Sequence, residues 1–253
     1  MAGPLDQFQI QKVVELPTYS LMGVTFDMSI TNSVLAMLIA VGTTIGFFML
    51  STARAAVIPG RLQVMAEGVY GLIDDLADTI IGHDGKDFFP FVLTLFLFIL
   101  SCNLVGMFGV FTATSQIAVT LSLAVISVGL VIIVGFLRNG LGFFKLFVPS
   151  GVPWYILIVL VPIEVIAFLI RPVTLTLRLF GNMVGGHIVL KVFAGFAVTA
   201  VGMGIGGVFI GALSVTTIVA LTTLEFLVAY LQAFVFTVLT CVYLSDVVNI
   251  GHH

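Results

Sequence analysis

Two ionisable residues, Arg178 and Glu225, stand deep inside apolar runs of this chain. A charged side chain at mid-membrane depth costs about 2.5 to 3.5 kcal/mol on insertion scales, so it persists where it is paired, hydrated or functional. Glu164, Arg171 and Arg178 recur at seven-residue intervals; each step turns a helix by about −20°, so the three share one face. Asn182, one turn beyond, continues this polar stripe, and Gly181, Gly185 and Gly186 keep the adjoining surface thin enough for another helix to approach. Glu225 and Gln232, again seven apart, form a second stripe. If the two helices run antiparallel with Arg178 level with Gln232, His187 lies about 13 Å further towards the outside and Glu225 about 10 Å the same way. An imidazole and a carboxylate then reach similar depth, a combination suited to passing protons. His187 is nine residues from Arg178, on roughly the opposite face of an ideal helix, so a proton path has to wind or the helix has to distort. The competing reading is structural, as ion pairs or snorkelling side chains, and it suits Arg171 and Lys191. Spacing by itself leads to a polar path through a helical bundle.

Such groups need a scaffold. Sixty per cent of the 253 residues are hydrophobic and eight per cent are charged, a balance no water-exposed surface sustains. The solvent is therefore lipid, where every backbone donor and acceptor must be satisfied internally. Long apolar runs without strand alternation select helices over a barrel. The predicted class is all-α: a polytopic helical membrane protein with about five membrane helices plus an interfacial amphipathic helix. The net charge of −3 and the thin scatter of Lys and Arg give no basic tract for nucleic acid. Cys102 and Cys241 lie in apolar runs without metal-ligand spacing or disulfide density and read as packing residues. No cofactor and no metal are expected.

A single membrane domain is expected over 1–253. Residues 1–27, with Asp6, Lys12 and Glu15 and no basic-then-apolar signal pattern, read as an outer N-terminal segment rather than a cleavable peptide. Residues 28–52 form the first span, whose apolar part reaches about 35 Å. Over 61–82, Leu62, Met65, Val69, Leu72, Ile73, Leu76 and Ile80 fall at helical spacing among Arg61, Glu67, Asp74, Asp75 and Asp78. That pattern suits a helix lying on the membrane, either a docking surface or a plain solvated amphipathic helix. Residues 88–137 carry no charge and would extend about 75 Å as one helix, so the polar cluster from Thr112 to Gln116 divides them into a two-span hairpin. Residues 150–248 form a long helical hairpin carrying the polar stripes. Each of its arms would be about 60 Å long, twice the hydrocarbon thickness, so each is strongly tilted or kinked or hides two short spans. Arg54, Arg61, Arg138 and Lys145 follow the first and third spans, whereas the turn at 112–116 has no positive charge. The positive-inside rule then places the N-terminus outside, the basic loops in the cytoplasm and, by alternation, the C-terminus in the cytoplasm.

Several weaker patterns need no function. The string from Gly202 to Gly207 fits a dinucleotide-binding glycine pattern, with Glu225 near the distance of a ribose ligand, but that motif works only between a strand and a helix. Here it reads as a turn or close helix packing. Phe143, Phe144, Phe147 and Trp154, interleaved with Lys145, Pro149 and Pro153, read as an interfacial belt. His83, His252 and His253 have no metal-site spacing.

The run Leu175-Thr176-Leu177-Arg178-Leu179-Phe180-Gly181-Asn182-Met183 closely resembles subunit a of the F-type ATP synthases. A second match runs from Leu231-Gln232-Ala233-Phe234 to Thr240, followed by Tyr243-Leu244. The resemblance covers essentially the whole chain from the first span onward. It implies a stator subunit beside a rotating ring of c subunits, with two offset proton half-channels, held by peripheral-stalk b-type subunits and other synthase subunits in the lipid bilayer. It implies that Arg178 is the essential arginine facing the ring carboxylates, that Asn182 and Gln232 are its polar neighbours, and that Glu164 belongs to the cytoplasmic half-channel. His187 and Glu225 match the outer half-channel pair. The enterobacterial form carries Glu first and His second; the order here resembles the mitochondrial and alphaproteobacterial type. The expected location is a bacterial inner (plasma) membrane, with the mitochondrial inner membrane as the alternative. The resemblance also implies that the last two helices lie nearly in the membrane plane.

The chemistry follows simply. A guanidinium keeps its proton at any relevant pH, so Arg178 can hold a ring carboxylate ionised but cannot relay a proton. A carboxylate moving from Arg178 into lipid must first be protonated, and His187 with Glu225 can supply that proton. A secondary transporter would show paired broken helices in matching halves, and the first half has no counterpart to the Arg178 or Glu225 segments. An intramembrane hydrolase would need a nucleophile with a base, a metal motif or an aspartate pair, and the spans supply none of these.

Overall fold

The protein is described here by a computed structural model covering residues 11–14, 19–21, 24–26, 29–53, 56–82, 84–108, 111–148, 153–200 and 204–249. Asp6, Glu15, Arg54, His83, Pro149, Gly202, Met203, His252 and His253 lie outside the described residues. Among the described residues six helices follow one another: α1 (Asn32–Thr52), α2 (Arg61–Ile81), α3 (Gly85–Met107), α4 (Ile117–Asn139), α5 (Trp154–Ala200) and α6 (Gly204–Val248). A 3-10 turn, Ala113–Ser115, separates α3 from α4, and a longer one, Gly140–Phe147, follows α4. Five stretches of the described residues are long and apolar enough to cross a membrane: α1, α3, α4 with its 3-10 extension, α5, and α6. The all-helical membrane class read from composition holds.

The N-terminal segment adds an element that composition did not announce. Among its described residues four short strands, β1 (Lys12–Val14), β2 (Tyr19–Leu21), β3 (Val24–Phe26) and β4 (Ile30–Thr31), pair antiparallel as β1 with β4 and β2 with β3. Ile30 and Thr31 therefore belong to a strand, and the first apolar helix starts only at Asn32. Its start is capped locally: Asn32 Oδ1 accepts from the backbone N–H groups of Ser33 (3.0 Å) and Gln11 (3.3 Å), while Thr31 Oγ1 accepts from that of Val34 (3.4 Å). These side chains satisfy donors that a helix leaves unpaired at its beginning.

The two C-terminal helices settle the alternative left open by length. α5 has 47 residues and α6 has 45, about 70 Å each, and neither is divided into two short spans. A hydrocarbon layer of about 30 Å cannot cover either helix if it stands upright. α5 keeps its helix through Pro162 and Pro172. The part of the glycine string within the described residues opens α6 at Gly204, and the described element before it is a helix ending at Ala200 where the dinucleotide motif has a strand.

The chain gathers into two compact units. The first comprises Met1–Thr43, Ile99–Gln116 and Leu179–Gln232; the second comprises Thr44–Phe98, Ile117–Arg178 and Ala233–His253. Within the second, Arg138 at the end of α4 is ion-paired with Asp84 and lies 3.4 Å from Asp87 of α3. Asn139 Nδ2 donates to the carbonyl of Val247 (2.8 Å), and Asn249 Nδ2 lies 3.5 Å from the carbonyl of Ile81. The ends of α2, α4 and α6 thus collect beside the start of α3.

Among the apolar faces, that of α2 gains detail and the aromatic belt changes. α2 buries Ala66, Ile73, Ala77 and Ile81, while Leu62, Met65 and Leu72 remain exposed. Two alanines, which let helices approach closely, and two isoleucines face the protein, and the other bulky side chains are left for the surroundings. Of the expected aromatic belt, Phe144 and Trp154 are exposed, but Phe143 and Phe147 are buried and pack edge-on against Phe168 at 6.3 and 5.6 Å between ring centroids. Half of the belt is core.

Candidate functional site

In the first unit the two polar stripes meet. α5 buries Leu179 and Met183, and α6 buries Glu225, Ala229 and Gln232, an i, i+4, i+7 face. That periodicity turns the α6 carboxylate and amide inward although both are polar. Asn182 Nδ2 donates to Gln232 Oε1 at 3.0 Å. Asn182, not Arg178, is thus opposite Gln232, one helical turn from the alignment assumed from sequence. The shift leaves His187 and Glu225 at closely matched heights, about 8 and 10 Å along the axis from that pair.

His187 and Glu225 do meet: Nδ1 lies 3.5 Å from Glu225 Oε1, ion-pair range and longer than an ordinary hydrogen bond. Glu225 is buried and His187 half-buried. The contact depends on Gly186, where an added Cβ would lie 2.8 Å from Glu225 Oε1. On its other side the imidazole Nε2 is 3.0 Å from Thr112 Oγ1, in the turn between α3 and α4. Beside the pair is a cavity of about 240 Å³ lined mainly by apolar residues, with Asn182 and Glu225 as its polar members. Two buried polar atoms here, Glu225 Oε1 and Gln232 Nε2, have no hydrogen-bond partner among the described residues. An imidazole beside a carboxylate, with unsaturated polar atoms and open space, can accept and release a proton without rearranging the helices.

In the second unit the α5 arginines differ from one another. Arg171 Nη1 lies 3.6 Å from Asp246 Oδ2 of α6, and its guanidinium stacks over Tyr243 at 4.3 Å and Phe168 at 5.2 Å. Arg178 is exposed and forms no hydrogen bond or ion pair among the described residues. Glu164 is half-buried on α5. Arg171 therefore finds its acid on α6 and not in Glu164 on its own helix.

A family model described as ATP synthase A chain matches residues 34–245. ATP synthase subunit a of Hyphomonas neptunium is 50% identical over 251 residues, covering 99% of this chain and 97% of the relative. The subunit a proteins of Allorhizobium ampelinum and Mesorhizobium japonicum are 48% and 46% identical, covering 99% and 98% of this chain and 98% and 97% of the relatives. The chain belongs to the ATP synthase A chain family. As a member it is a proton-translocating stator subunit of an F-type ATP synthase and an integral membrane protein, with no reaction to catalyse alone.

Sequence reasoning about this family member overlooked four polar residues that the geometry brings in. Asp246 continues the seven-residue recurrence of Glu225 and Gln232 two steps further, so the pattern that found those two contained it. Tyr243, beside it, had only its place in a motif. Thr112 and Asn103 carried no periodic signal: one sits in a turn, and the other is a single polar residue within an apolar run.

Proposed function

We propose that Arg178 is the electrostatic latch that holds one carboxylate of a c-subunit ring ionised, and that the ring turns past the exposed side of α5. The observation that carries this reading is the contrast on one helix between a paired Arg171 and an exposed Arg178 without an acid of its own. A cation in lipid needs a counter-charge, and a partner's carboxylate supplies it. His187 and Glu225 form the outer half-channel, and Asn182 and Gln232 line the approach to the latch. Glu164 belongs to the cytoplasmic half-channel. A ring carboxylate leaves Arg178 for lipid only when protonated, so proton entry on one side and release on the other drives rotation in one sense.

The chain works with the c ring, b-type stalk subunits and the other synthase subunits in a bacterial inner membrane. Its N-terminus is outside and its C-terminus cytoplasmic, with α5 and α6 close to the membrane plane. The contacts of Arg138 with Asp84 and of Asn139 with Val247 support one side for the basic loops and the end of α6.

The test is ATP-driven acidification of inverted vesicles carrying the complex with Arg178→Ala. Pumping is expected to cease while assembly, judged by co-purified ring, persists; parental pumping by this variant overturns the latch. For orientation, cysteines replacing the exposed Phe108 and Leu141 should react with an impermeant thiol reagent from the outside and the cytoplasm, respectively. The native Cys102 and Cys241 are buried.

A further inference from the structure

Thr112 occupies a site that its turn could have left to any small residue. The residue is buried, and its hydroxyl oxygen is 3.0 Å from His187 Nε2. It fits only because position 106 is glycine: a Cβ there would lie 2.5 Å from Thr112 Oγ1 and 2.6 Å from its methyl carbon. The turn is secured independently. Thr114 Oγ1 donates to Asn103 Oδ1 at 2.8 Å, and Asn103 Nδ2 donates to the carbonyl of Ala229 on α6 at 3.1 Å. Ser115 Oγ donates to the carbonyl of Thr112 itself at 2.7 Å. A buried polar strap thus runs from the imidazole through the turn and α3 to Ala229 of α6, one helical turn from the Glu225 that meets the ring's other nitrogen.

We propose that Thr112 is a positioning residue for proton transfer: its hydroxyl holds the His187 ring with Nδ1 towards Glu225 in both protonation states. The inference rests on the reading of His187 and Glu225 as the outer proton pair. A neutral imidazole has one donor and one acceptor nitrogen, and an imidazolium has two donors, whereas a hydroxyl can donate or accept. With the ring neutral and its proton on Nδ1, Thr112 donates to Nε2. When the ring gains a proton from the outer aqueous phase, Nε2 becomes a donor and the Thr112 oxygen accepts. Transfer of the Nδ1 proton to the Glu225 carboxylate then leaves the other neutral tautomer, with the Thr112 contact intact. One proton has entered and one has left. A carbonyl or an amide N–H at this position would favour one state only. The charged and titratable groups facing the ring are Glu225 from α6 and Lys191 from its own helix; the turn brings none.

The test uses the whole complex in inverted vesicles, whose lumen is the outer side, with ATP synthesis driven by a fixed potassium diffusion potential at preset lumenal pH. Thr112→Val keeps the shape and removes the hydroxyl; Thr112→Ser keeps the hydroxyl. Val should lower the rate by about fivefold per assembled complex, the worth of one hydrogen bond. It should also move the lumenal pH of half-maximal rate by about half a unit or more. Ser should recover at least half of the parental rate without the pH displacement. If Val impairs assembly, Thr112→Ala, which fits wherever Thr fits, is read by the same criteria. An unchanged pH profile in the hydroxyl-free variant, whether its rate is normal or reduced, overturns the proposal. His187→Ala and Glu225→Gln are measured alongside. If those two conduct like the parent, the outer-pair reading itself is wrong; if they fail while Thr112→Val behaves as the parent, only the role of Thr112 falls.

Discussion

Arg171 and Arg178 are seven residues apart on α5, and the sequence gives them the same helical face. Their surroundings could hardly differ more. Arg171 faces Asp246, lies over two aromatic rings and is three-quarters covered. Arg178 is exposed beside the buried Leu175 and Leu179, with no acid of its own among the described residues. A guanidinium that is paired and stacked holds helices in register. One left unpaired in an apolar setting has binding energy to give to a charge arriving from outside. The same residue type is thus paired in one place and left for an outside charge in the other, the contrast on which the proposed latch rests, and what separates them is the supply of partners.

The largest test of this contrast is lysine at both positions. Arg178→Lys should lower ATP-driven pumping by at least about a hundredfold, the weight of an intramembrane charge whose proton can now be shed. Arg171→Lys, still opposite Asp246, should keep most of it. Equal losses per assembled complex would erase the distinction between the two arginines.

Next comes the pair proposed to exchange protons, which has neither a permanent charge nor a stacked ring. His187→Glu and Glu225→His should each impair pumping. The double exchange restores one acid and one base and should exceed the additive expectation by about tenfold, a coupling typical of residues in contact. Simple addition of the two single losses, with assembly checked by immunoblot, would make the residues independent.

A smaller effect is expected at Asp246. Asp246→Asn leaves the largely covered Arg171 without its counter-charge and should reduce the amount of assembled complex. The loss is below the 3 to 5 kcal/mol, roughly, of a fully buried broken pair, because Asp246 is 39% exposed. Joint replacement, Arg171→Met with Asp246→Leu, should restore assembly. A double variant assembling worse than Asp246→Asn would show that Arg171 does more than hold. The smallest effect belongs to Arg138→Gln: its pairs with Asp84 and Asp87 are over a third exposed and should be worth under about 1 kcal/mol in thermal stability of the complex.

Much of this was legible in the sequence, for identifiable reasons. Composition fixes the solvent, and a lipid solvent forces the backbone into helices, so the class followed without any contact being known. The residues of the candidate site were legible because polar side chains are conspicuous in apolar runs. The direction in which they point was not. The apolar stripe of α2 divides between the exposed Leu62 and Met65 and the buried Ile73, and Phe143 and Phe147 read as interfacial anchors and are buried. In a membrane protein, lipid-facing and protein-facing positions are equally apolar, so periodicity shows that there are faces without showing which one is inside.

By itself the sequence determined the helical membrane class and which side chains could carry charge or protons, since both depend on residue type and local spacing. The tertiary structure decided the register that sets Asn182 against Gln232, the partner that occupies Arg171 and the turn that brings Thr112 to His187. Each of these joins residues at least fifty positions apart in the chain. Distances of that kind are set by packing between helices, where one helical turn of sliding exchanges one neighbour for another at little change in buried apolar area.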